Sequence, residues 1–191
     1  MGKLLACFIL TLLGMNVNAQ SVSFEFKANP GAEFIFNTIT KYINGIVIPN
    51  VVTLDVVAIG TQWDLYVGTT TTTAGIWDNV QYYSSTGNGF PSVGLLQVAV
   101  RNASNTSQIT GYIPLQDIAT TALDIIGNHL NAPDPPVRCT DLIHQGTNTA
   151  GAYTSDPQCY QFSIDFRIVP GLNYIAGLYS LQVDFIIARD L

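Results

Sequence analysis

The chain has 191 residues, of which 48% are hydrophobic and only 10% charged, and its formal net charge is −6. So sparse and acidic a charge pattern offers no basic stripe for a phosphate backbone or an anionic headgroup layer, which excludes nucleic acid and membrane surfaces as partners recognised by charge. Two histidines and three cysteines leave little material for imidazole or thiolate chemistry.

The first element is a leader. Met1, Gly2 and Lys3 make a short positive head, Leu4 to Leu13 an apolar run, and Val17, Asn18 and Ala19 a small-residue cleavage site, so residues 1–19 are expected to be a secretory signal peptide and 20–191 one exported, soluble domain. The cut before Gln20 resembles the export signals common in Bacteroidota. "LLAC" (Leu4 to Cys7) has the spelling of a lipoprotein cleavage box, but it begins the apolar run instead of following it. No later stretch approaches the roughly 20 apolar residues of a membrane helix, so membrane insertion is not expected. With Cys7 in the leader, Cys139 and Cys159 are the even pair left in an exported chain and are expected to form one disulfide, worth about 3 kcal/mol on the chain-entropy model. The alternative of free thiols or a metal pair lacks a C-x-x-C spacing or a second ligand pair nearby.

Beyond the leader the hydrophobic period is two almost throughout. Val22, Phe24, Phe26 and Ala28 alternate with Ser21, Ser23, Glu25 and Lys27, the pattern of a half-buried strand ending at the turn "NPGAE". Val52, Leu54, Val56 and Ala58, then Trp63, Leu65 and Val67, are expected to be neighbouring antiparallel strands joined around "IGTQ". Leu96, Val98 and Val100 form another strand, and Ile109 with Ile113 a short one beyond "NASNTSQ". Asp117 to Leu130 changes period: Ile118, Ala122, Ile125, Ile126 and His129 recur at helical spacings, with Asp117 as N-cap. The closing pair is expected to form a hairpin across "VPGLNYIAG", with Phe162, Ile164, Phe166 and Ile168 facing Tyr179, Leu181, Val183, Phe185 and Ile187. Roughly seven to nine short alternating strands point to an all-β fold, a two-sheet antiparallel sandwich, with one short helix and a disulfide-closed loop. "TTTTTAG" and "NAPDPP" read as loops inside a single domain.

Catalytic patterns are thin. His129 and His144 stand in no H-E-x-x-H or G-x-S-x-G context, so no cofactor, metal or enzymatic activity is expected. Asp165 and Asp184 fall on the polar faces of the closing strands, where they are either paired carboxylates of the glycosidase type or, more plainly, solvated side chains. The loop 76–90, "GIWDNVQYYSSTGNGF" with Gly75 at its head, sets Trp77, Tyr82, Tyr83 and Phe90 among Asp78, Asn79, Gln81 and Asn88. Flat rings beside amides and a carboxylate suit a surface glycan, and Trp77, Asp78, Tyr82 and Tyr83 are the candidate residues. The plainer reading of the same rings is closure of a sandwich end or a subunit contact.

"TKYINGIVIPNVVTLDVVAIGTQWDLYV" (Thr40 to Val67), with its central glycine, alternating strand and W-x-L-x-V, resembles exported bacterial pilin-like sandwiches. "AGLYSLQVDFIIA" looks like their closing strand. The resemblance implies an immunoglobulin-like sandwich used as a cell-surface or filament subunit, without catalysis; the insertion between Cys139 and Cys159 departs from it. It also sharpens the role of Val22, Phe24, Phe26 and Ala28. Either that strand is donated to a neighbouring copy, building a homo-oligomer or filament, or it pairs within its own chain.

Overall fold

The computed structural model describes residues 21–28, 32–59, 63–102, 111–126 and 161–189. The leader, Cys139, Cys159, His129 and His144 lie outside the described residues. Within them the chain forms ten strands and two short helices: β1 (Ser21–Ala28), α1 (Ile39–Asn44), β2 (Ile46–Ile59), β3 (Trp63–Thr70), β4 (Asp78–Tyr82), β5 (Leu96–Asn102), β6 (Ile113–Pro114), α2 (Ile118–Thr121), β7 (Leu123–Ile126), β8 (Gln161–Ile168), β9 (Gly177–Ser180) and β10 (Gln182–Arg189).

The strands pair antiparallel in three sheets, a five-stranded one in the order β1-β2-β8-β5-β6, a three-stranded one in the order β10-β3-β7, and a ribbon of β4 with β9. Alternation along β2, β3, β5 and β8 sends one row of side chains inward. Leu54 and Val56 of β2, Val98 and Val100 of β5 and Phe162 and Ile164 of β8 meet Leu65 and Val67 of β3 in one buried cluster. Val183, Phe185 and Ile187 of β10 pack on it from the sandwich margin and stay only partly buried. The two larger sheets thus share one apolar core, which is the stabilising arrangement for strands that are apolar on one face.

Strand alternation was legible; strand partners were not. β2 and β3 are not a hairpin: β2 pairs with β1 and β8 in one sheet, while β3 pairs with β10 and β7 in the other. The closing strands part in the same way, β8 at the centre of the larger sheet and β10 at the edge of the smaller. In both cases the apolar faces line opposite sides of one core, so crossing between sheets buries them as well as pairing would. The expected helix from Asp117 to Leu130 shrinks to Ile118–Thr121, correctly capped by the Asp117 carboxylate, which accepts from the Ala119 amide at 3.0 Å. Leu123–Ile126 then pairs with β3, because an exposed ladder edge beside an apolar, partly β-branched run outweighs a weak helical period.

A second helix, α1, joins the expected one. Thr38 caps its start by accepting from the Lys41 amide, and Gly45 (φ 78°) ends it. A side chain at Gly45 would also meet the Ile168 carbonyl oxygen at 2.5 Å, so only glycine fits where α1 turns into β2. Close approach recurs at Gly68 of β3, where a Cβ would lie 2.6 Å from that of Ile118. That glycine lets α2 sit directly on the sheet.

Candidate functional site

Two features stand out, the β1 edge and an aromatic groove beside it. β1 pairs with β2 in its own chain over its whole length, Ser21 opposite Ile59 through Ala28 opposite Val52. It is a terminal edge strand whose sole ladder partner among the described residues is β2. After residues 29–31 the chain runs without ladder pairing from Ala32 to Asn37. There Ala32, Phe34 and Phe36 are half-buried against the core while Glu33, Ile35 and Asn37 are exposed, and the Ile35 carbonyl accepts from Lys41 Nζ at 3.2 Å.

Ala32–Phe36 forms one wall of an apolar groove of about 580 Å³. Phe166 and Ile168 of β8 and Leu95 contribute its floor, Tyr42 and Trp77 its sides, and the stretch from Tyr174 to Leu181 its opposite wall. The Phe36 and Tyr42 rings meet at 5.4 Å with a tilt of 42°. The opposite wall is fixed by the β4–β9 ribbon, paired from Asp78 with Ser180 to Tyr82 with Gly177, with a bulge between Asn79 and Gln81. Tyr82 meets the Tyr179 ring edge-on at 6.2 Å. Tyr179 donates its hydroxyl to the Ile175 carbonyl at 2.8 Å; burial, then the neighbouring Tyr82, raises its pKa above the ordinary tyrosine value.

The structure divides the four aromatic-loop candidates. Trp77 lines the groove and packs on the core; its indole N–H donates to the Ser92 carbonyl at 3.0 Å. Asp78 is engaged as a turn acceptor, taking the Thr72 amide on both carboxylate oxygens at 2.9 and 3.1 Å. Tyr82 donates to the Gly89 carbonyl at 3.1 Å. Tyr83 points to solvent at 64% exposure, as does Phe90 at 69%. The loop 76–90 therefore contains a strand, and the polar groups of Trp77, Asp78 and Tyr82 are tied within the chain. Phe34, Phe36, Tyr42, Tyr174 and Tyr179 come to the groove from distant parts of the chain; the alternation of Ala32, Phe34 and Phe36 was the one local signal of them.

The carboxylate pair is also resolved. Asp165 and Asp184 stand in different sheets, so they do not face each other. Asp184 accepts from Thr70 Oγ1 at 2.6 Å and from the Gln182 amide. Asp165, on the outer face of the larger sheet, is 8% exposed instead of solvated. Both its oxygens take Arg101 Nη2 at 2.8 Å, and Oδ1 takes the Asn50 amide at 2.8 Å. Asn50 has φ 52° in the β2 bulge between Ile48 and Val52, and Ser163 donates to its side-chain oxygen. Nearby, Arg167 lies 4.3 Å above the Tyr112 ring and donates to Gln97. This network pins the bulge to the sheet.

No helix among the described residues is long and apolar enough to cross a membrane. Neither a protein-family model nor a curated protein matches the chain.

Proposed function

We propose that the chain is a non-enzymatic structural or adhesive protein of the bacterial cell surface, an exported immunoglobulin-like sandwich bridged by Cys139 and Cys159, whose copies associate by passing β1 from one to the next. The observation that carries this reading is the attachment of β1: a strand on one sheet edge, followed from Ala32 to Asn37 by chain without ladder pairing. A neighbour's β1 would make the same eight-residue register with β2, so exchange keeps every ladder bond and leaves concentration to decide between closed and exchanged forms. Passed head to tail, the strand builds a filament; exchanged reciprocally, it builds a dimer.

Deleting residues 20–27 tests this, with thermal unfolding and negative-stain imaging read together. A folded monomer that no longer polymerises supports strand donation. An unfolded chain, or polymers that persist without the segment, would sink it.

Exposed Tyr83 and Phe90 favour a second reading, a glycan-binding module acting through the loop surface. Because Trp77 and Asp78 are engaged internally, glycan-array binding lost on Tyr83→Ala and kept on Asp78→Asn would support it.

A further inference from the structure

We propose that the groove beside β1 binds an organic cation, an alkylated ammonium group recognised by aromatic faces. Among the described residues the lining combines the rings of Phe36, Tyr42, Trp77, Tyr174 and Tyr179 with a single carboxylic acid, Glu33, and contains no lysine, arginine or histidine. On a chain of net charge −6, exposed Glu33 is the one charged side chain of that lining among the described residues, and the neighbouring Lys41 ammonium is held on the Ile35 carbonyl at 3.2 Å and Asn37 Oδ1 at 2.9 Å.

The ring chemistry points the same way. An aromatic face carries the negative side of the ring quadrupole, and a cation within about 6 Å of its centre is attracted to it, most strongly over tryptophan. Phe36 and Tyr42, 5.4 Å apart and tilted by 42°, both line the groove as a packed ring pair. The polar ends of Trp77 and Tyr179 are spent on the Ser92 and Ile175 carbonyls, so these residues offer the groove ring surface in place of donors. Among the described lining residues an anion finds no cationic partner, and the polar ends of Trp77 and Tyr179 are not available to a sugar. At about 580 Å³ the groove falls within the usual span of ligand sites, roughly 300–1,000 Å³.

This inference does not depend on strand exchange. Its test uses the full exported chain, with choline as probe and 3,3-dimethylbutanol, its neutral carbon isostere, as control, followed by tryptophan fluorescence and calorimetry. Choline is expected to bind saturably and the isostere at least about fivefold more weakly. Glu33→Gln, an exposed substitution, is expected to raise the choline Kd about threefold and leave the isostere and thermal unfolding unchanged. Tyr42→Leu keeps the groove apolar but removes a ring, and it should weaken choline and not the isostere. Equal affinity for the two probes overturns the proposal by reducing the groove to an apolar cleft. Absence of saturable choline binding by the folded chain overturns it outright.

Discussion

Phe162 and Phe166 share a strand, a residue type and an inward direction, yet their truncation should not cost the same. Phe162 is 2% exposed and belongs to the core cluster without touching the groove; Phe166 is 6% exposed and lines it. Large-to-small aromatic changes in cores cost about 3–5 kcal/mol, of which the void supplies about 24 cal/mol per Å³. A closed void of roughly 100 Å³ left by Phe162→Ala therefore adds about 2.4 kcal/mol to the transfer loss and places that variant near 5 kcal/mol. At Phe166 the deleted ring merges with a groove already open to solvent, so most of the void contribution disappears and about 3 kcal/mol remains. Urea unfolding followed by tryptophan fluorescence reads the difference: with a slope of about 2 kcal/mol/M, the two midpoints should separate by about 1 M. Phe162→Leu provides a milder variant should the alanine chain be largely unfolded in water. Equal midpoints, or a loss at Phe162 below about 1 kcal/mol, would refute the assignment of one side chain to the closed core and the other to the groove wall.

Other substitutions probe single contacts. Gly68→Ala drives a methyl against Ile118, and overpacking of that kind should lower stability by about 1–3 kcal/mol in the same denaturant assay, whereas Gly75→Ala, with nothing within 4 Å but a positive φ, tests backbone strain alone. Asp165→Asn removes the ion pair with Arg101 and weakens acceptance of the Asn50 amide; because the Arg101 side chain is 32% exposed, the loss should be about 2 kcal/mol, short of that for a fully buried pair, and should appear in thermal melts at constant pH. Burial, then the charge of Asp165, raises the Tyr112 pKa above its ordinary value of 10.0, so the neutral phenol is favoured by folding. The stability it contributes is fully present below pH 10 and is lost as pH rises through the higher folded value, so Tyr112→Phe should flatten the alkaline arm of the stability profile; an unchanged arm would contradict the assignment.

Alternation announced β5, β8 and β10 because a strand with one face on a core must place apolar residues at every second position, and the same period marked β1 as a strand. It said nothing of partners, since β2 and β3 carry equally good inward rows whether they lie side by side or across the core. Only the direction of each connection decides between those, and the connections are short on apolar signal. Asp78 shows the same limit on a smaller scale. Beside Trp77 and Tyr82 its carboxylate fits sugar chemistry, but the amide of Thr72, in the threonine-rich turn just before it, is nearer and takes both oxygens. Asp165 was mistaken in the opposite sense. Its phase places it on the outer face, where the bulge at Asn50 and the reach of Arg101 cover it, and neither feature is periodic. The groove escaped for a third reason: its walls come from residues 32–42 and 174–183, brought together only when β10 and the chain leading out of β1 reach the same end of the sandwich.

That shared end couples the two proposals. The chain leaving β1 becomes, within a few residues, the wall that carries Glu33, Phe34 and Phe36. If β1 moves to a neighbouring copy, the span from residue 29 to Asn37 must redirect, and the wall of the donor's own groove moves with it. A cation held against that wall would then bind the closed form better than the exchanged one, and by linkage exchange would weaken the cation to the same degree that the cation opposes exchange. Choline at saturating concentration should therefore shift the balance from polymer toward monomer, read by sedimentation at fixed protein concentration. A polymer fraction that does not respond, in a protein shown to bind choline, would mean that the wall keeps its place when β1 leaves and that the two sites are independent.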